Sequence, residues 1–142
     1  MFTKVLLAAD GSGPSLRAAE YAVKLRRLNP GLKVTVLTVC PPMLPLGRGA
    51  VFAYAELIEA AEQYMAEIGE KYKELLAGAG IKAEIRRAFG DPGETIVREA
   101  EEGGHDLILM GTRGVSNLAG FILGSVAHKV VNLARIPVLL VK

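Results

Sequence analysis

The stretch DLILMGTRGVSNLAGFILGSVAHKVVNLARIPVLLVK, residues 106–142, reads as a strand, a loop punctuated by glycines, a helix and a second strand. DLILM and IPVLLVK are short apolar runs of the kind that strands buried on both faces present. Between them SVAHKVVNLAR repeats its apolar residues at helical spacing. The glycines at 111, 114 and 124 leave the backbone bare between strand and helix, and that bareness needs a reason.

Upstream the same alternation recurs. KVLLAAD is an apolar run ended by Asp-Gly-Ser; Ser12 then caps a helix, Pro14 suits its first turn, and Asn29-Pro30-Gly31 stops it. LKVTVLTVC is the second strand, and the proline-rich residues 41–49 form a loop. Leu57, Ile58, Ala61, Met65, Ile68, Tyr72, Leu75 and Leu76 mark the apolar face of a long helix. IKAEIRRAF alternates like an edge or near-edge strand, and GDPGE turns the chain into a helix over Glu94 to Glu102. The order βαβαβαβαβ implies an α/β fold with a parallel sheet covered on both faces. At 142 residues the chain suits one domain, residues 1–142.

Composition narrows the function classes. The 17 basic and 15 acidic side chains leave a net charge of +2, little reason to expect nucleic acid or an anionic membrane as partner. A single cysteine, Cys40, favours a reducing compartment and offers neither a disulfide nor a grouped zinc site. The five apolar residues before Asp10 are too short a run for a signal peptide, so a cytoplasmic protein is expected.

In an open parallel sheet a ligand lies beyond the carboxyl ends of the strands, where the winding changes direction. Ala8 to Ser12, Val39-Cys40 and Met110 to Ser125 would meet there. Backbone N–H groups opening a helix hold phosphate oxygens where no side chain blocks the approach. Gly111, Gly114, Gly124 and Ser125 have that character, with Arg113 and Lys129 as supporting cations. Glycines after a strand also serve as plain turn residues, Ser125 as an N-cap and Asp10-Gly11 as a turn, so spacing leaves both readings open.

Competing motifs fail on inspection. GSGPSL lacks the third small residue of a dinucleotide fingerprint, and no P-loop signature occurs. His105, in a Gly-Gly-His-Asp turn, is expected at the surface, and His128 has a surface or packing role. Cys40 reads as a small apolar residue, and no nucleophile, base and orienter assemble.

Gly111-x-x-Gly114, nine residues, then Gly124-Ser125 resembles the G-2x-G-9x-G-(S/T) pattern of ATP-binding universal stress proteins. KVLLAADGS, GDPGETIVREA, DLILMGTRG and IPVLLVK extend the resemblance over nearly the whole chain. It implies a three-layer, flavodoxin-like or Rossmann-like α/β sandwich with five parallel strands in the order 3-2-1-4-5. It also implies that Asp10 lies near ribose or metal-bound phosphates and that Val39 and Ala8 meet adenine. Met110, Gly111, Gly114, Gly124, Ser125 and Val126 would line ribose and phosphates, beside the supporting cation Arg113. ATP, or AMP or ADP, would bind, Mg²⁺ would accompany the triphosphate, and a homodimer would pair through the last strand, Pro137 to Lys142. The implied role is regulatory. Two alternatives remain: a dimerising scaffold without nucleotide, and an adenylating or ATP-hydrolysing enzyme, although neither an SGGxDS-type nor a HIGH-type signature is present.

Overall fold

Apolar segments pair side by side into one parallel sheet in the computed structural model, which describes residues 1–43, 50–113 and 123–142. The strands are β1 (Lys4–Ala8), β2 (Lys33–Cys40), β3 (Glu84–Phe89), β4 (Leu107–Gly111) and β5 (Val138–Val141). They lie in the order β3-β2-β1-β4-β5, as the resemblance implies. Between them run the helices α1 (Gly13–Leu28), α2 (Ala50–Gly78), α3 (Pro92–Glu102) and α4 (Ser125–Leu133).

The continuous apolar strands are explained by two cores. Val5, Leu7, Val34, Val36 and Leu109 face α1 and α2, whereas their neighbours Leu6, Leu37, Ile108 and Met110 face α3 and α4. Successive strand residues point to opposite faces, so both sets must be apolar when both faces are covered. Each fully buried leucine contributes about 1.5–3 kcal/mol of transfer free energy.

Local chemistry sets the helix ends. Ser12 caps α1 through its side chain, with Pro14 in the first turn, and Asn29 closes the helix by donating to the Leu25 carbonyl at 2.9 Å. Asp91 caps α3 in the same manner, accepting from the Glu94 amide at 3.0 Å. That helix therefore starts at Pro92, two residues before the expected boundary, because proline needs no N–H at a helix start. The long helix begins at Ala50, ahead of the expected pattern. Among the described residues its buried apolar side chains are Met65, Ile68, Tyr72 and Leu76, while Leu57 is 54% exposed. β3 is an edge strand, as its alternation suggests, and the stretch before it contributes Ile81 to the core.

His105 departs from expectation. It is buried, with Nε2 2.9 Å from the Thr35 hydroxyl and Nδ1 3.1 Å from the Ala100 carbonyl. The Nδ1–H donates to Ala100 and Nε2 accepts from Thr35, which fits a neutral ring. Burial holds its pKa below the ordinary histidine value, outweighing the Ala100 hydrogen bond. The surface placement is corrected because the turn folds the ring inward beneath α3. Nearby, Asp106 accepts from the Thr3 amide and hydroxyl, each at 2.8 Å, and ties the chain start to β4. Among the described residues no helix is long and apolar enough to cross a membrane.

Candidate functional site

Every helix that follows a strand starts at the sheet's carboxyl edge, and at the β1/β4 switch point two such starts flank a cleft of about 230 Å³. Ala8, Asp10, Val39, Met110, Gly111, Arg113, Gly124, Ser125 and Val126 all line it. The structure therefore brings nine of the ten expected residues together. The tenth, Gly114, lies outside the described residues, as does most of the loop from Pro41 to Gly49.

The acidic turn is built by local bonds. Asp10 Oδ1 accepts the Ser12 amide at 2.9 Å, and Gly11 takes φ +81°, a left-handed conformation that glycine adopts without steric cost. Ser12 Oγ accepts from the Ser15 amide at 3.3 Å and donates to the Arg113 carbonyl at 3.4 Å. One hydroxyl thus joins the start of α1 to the segment leaving β4.

Gly111 lines the cleft, yet its missing side chain has a packing reason as well. A Cβ there would lie 2.7 Å from Pro14 Cβ and 2.9 Å from both the Pro14 carbonyl carbon and the Ser15 nitrogen. The bare position lets the first turn of α1 seat against the end of β4.

At the other wall Gly124, in extended conformation, is the N-cap of α4, and no side chain caps that end. Ser125 is the first helical residue and exposed, so the N-cap alternative for it is corrected: the cap position falls one residue earlier. The Gly124 amide donates to the Thr112 carbonyl and the Thr112 amide to that of Val141, each at 2.8 Å. The first-turn N–H groups of α4 have no intrahelical acceptor, and the helix dipole adds positive potential where Ser125, Val126 and Ala127 line the cleft.

Other lining residues escaped the sequence. Leu37, Pro92 and Ile96 join Val39 in an apolar wall, and Ser15 lines the β1 side next to Ala9 of the expected Ala8 to Ser12 segment. The GDPGE turn carried a usable signal, since it starts α3 at the same sheet edge as the glycine stretch starts α4. Ile96 is also part of the core between α3 and the sheet, and its helical spacing alone does not set it apart from Val97 and Ala100.

Lys129 does not line the cleft. Its ammonium pairs with Asp91 at 3.0 Å, and its stem lies against Gly93, where an added Cβ would come within 2.7 Å. The Glu94 amide first, and then Lys129, hold the Asp91 carboxyl below its usual pKa. His128 is exposed and its Nδ1 accepts from the Asn132 side-chain amide at 3.2 Å. The half-buried Cys40 thiol donates to the Pro41 carbonyl at 3.5 Å. Among the described residues no group of three His, Cys, Asp or Glu side chains forms a metal site, and Asp10 is the carboxylate lining the cleft.

The sequence model of the universal stress protein family matches residues 1–142. Universal stress protein YxiE of Bacillus subtilis is 36% identical over 156 aligned residues that cover all of both chains. A solved universal stress protein in complex with cAMP is 29% identical, with a TM-score of 0.74 over 99% of this chain and 97% of that one. Universal stress protein UspA from Lactobacillus plantarum has a TM-score of 0.87 at 21% identity, over 99% of this chain and 97% of that one, a likeness of fold.

Proposed function

This chain belongs to the universal stress protein family, and from that membership and the geometry of its cleft we propose that it binds an adenine nucleotide, ATP with Mg²⁺, as a regulatory ligand. The observation that carries the reading is the polarity of the cleft. One wall is apolar, built from Leu37, Val39, Pro92 and Ile96, and suits a base. The opposite side offers the uncapped start of α4 and the cation Arg113, and suits phosphate. A ligand with a flat apolar end and an anionic end matches both.

The related universal stress protein solved with cAMP, itself an adenine nucleotide, supports the same ligand class. Mg²⁺ binds through one or two carboxylates together with substrate phosphates, and keeps waters. Asp10 supplies one carboxylate beside the proposed phosphate site, which fits an ion that arrives with the triphosphate and not a protein cage.

A homodimer through β5 is part of the proposal. That strand is an edge of the sheet, and Val138, Leu139 and Leu140 are only half-buried. An apolar edge with unpaired backbone groups is a template for another strand, and antiparallel pairing with a second copy satisfies it. Occupancy of the cleft would reach this strand through Thr112, whose amide binds the Val141 carbonyl.

Amide chemical-shift mapping tests the location. Titration with ATP and Mg²⁺ should move the resonances of Ala8 to Gly11 and of Ser125 to Ala127, leaving those of Gly103 to Asp106 at the opposite sheet edge in place. Shifts confined to another face would reject the cleft as the site.

A further inference from the structure

We infer that the Tyr72 hydroxyl is a positioning group that fixes the acidic turn of the cleft from within the core, an inference that rests on the nucleotide reading above. Helical periodicity asks only for an apolar residue at position 72, and phenylalanine would fill the same space. A hydroxyl in a fully buried place must instead find partners, since an unpaired one costs stability. Tyr72 finds two, one in the turn after β1 and one in the first turn of α1.

Its O–H donates to Ser15 Oγ at 2.7 Å, and its oxygen accepts the Gly11 amide at 3.1 Å. Ser15 Oγ in turn donates to the Ala8 carbonyl at 2.9 Å and accepts the Asp10 amide at 3.4 Å. A serine hydroxyl has one donor and two acceptor sites, and all are used. Ser15 therefore lines the cleft without a hydroxyl to give to a ligand; it relays the hold of Tyr72. Burial raises the Tyr72 pKa, so the O–H stays protonated and able to donate at neutral pH. Two hydroxyls from α1 and α2 thus grip Ala8, Asp10 and Gly11, three contacts around the Asp10 carboxylate. Hydrogen bonds between such partners, 57 and 61 residues apart, connect α2 to the cleft without touching the ligand.

The test is Tyr72→Phe, with ATP and Mg²⁺ as probe and thermal unfolding as the check on folding. Loss of the hydrogen bonds should weaken ATP binding about fivefold to tenfold. Because Tyr72 acts through the Asp10 turn, the substitution should add little in an Asp10→Asn background, whereas a general loosening of the fold would add its full effect. Amide exchange at Gly11, measured without nucleotide, should be faster in Tyr72→Phe than in the parent. Parent affinity in folded Tyr72→Phe, full additivity with Asp10→Asn, or unchanged Gly11 exchange would each overturn the inference. If Tyr72→Phe does not fold, Ser15→Ala decides on the same readouts, since it removes the acceptor of the Tyr72 O–H. A parent that binds no ATP rejects the nucleotide reading instead, and Gly11 exchange still decides the role of Tyr72.

Discussion

Gly111→Ala places one carbon where the structure has no room. Carbon atoms pack favourably at about 3.5–4.0 Å, and the new Cβ would stand 2.7 Å from Pro14 Cβ and 2.9 Å from two backbone atoms of α1. A flexible side chain would swing aside. Pro14 and helix backbone cannot, so the first turn of α1 must move off β4 by several tenths of an ångström. Overpacking of this kind costs about 1–3 kcal/mol, and at about 2–4 °C per kcal/mol for a chain of this size the Tm should fall by roughly 2–12 °C. The displacement also strains the Ser12 bond to the Arg113 carbonyl and drags the Asp10 turn, so ATP affinity should fall with stability. Gly78→Ala is the control, because nothing lies within 4 Å of its Cβ and its φ is not positive. That substitution should be neutral or raise stability by up to about 1 kcal/mol through the unfolded chain. Thermal unfolding of both variants decides, and a Gly111→Ala protein with the parent Tm would refute the close-approach argument.

Other expectations follow from single contacts. Ser12→Ala should cost about 1 kcal/mol, the usual worth of an N-cap, and equal denaturant midpoints for parent and variant would contradict it. His105 titrates near 6.5 when unfolded and lower when folded, so the unfolded chain binds the extra proton. Its contribution to stability is complete above pH 6.5 and is lost as pH falls below that value toward the folded pKa, at up to about 1.4 kcal/mol per pH unit. Stability measured from pH 7.5 to 5 should consequently fall more steeply in the parent than in His105→Gln, and matching slopes would remove the buried ring from the account.

Much of the scaffold was legible because its causes are local. Ser12-x-Pro14, Asp91-Pro92 and the solid runs KVLLA and LILM carry their structural reasons within a few residues. The strand order and the gathering of Ala8, Val39, Met110 and Gly124 at one edge followed from the alternation of strands and helices together with the family resemblance. What escaped depends on distant partners. His105 is buried because Thr35, 70 positions away, receives its ring. Lys129 is drawn from the cleft by Asp91, 38 positions earlier. Tyr72 read as one more apolar residue in a stripe, and nothing near it names Gly11 or Ser15. Gly111 shows the same limit from the other side: its bareness was visible, but the proline it accommodates was not.

The central claim is that the cleft at the β1/β4 switch point takes an adenine nucleotide, and calorimetric titration of nucleotide-stripped protein with ATP and Mg²⁺ tests it most directly. The chain contains no tryptophan, so residual adenine stands out near 260 nm and stripping is verifiable. The account predicts saturable binding of one ATP per chain, tighter than GTP, with AMP competing for the same site. Heats no larger than dilution, from protein shown to be folded, would contradict it.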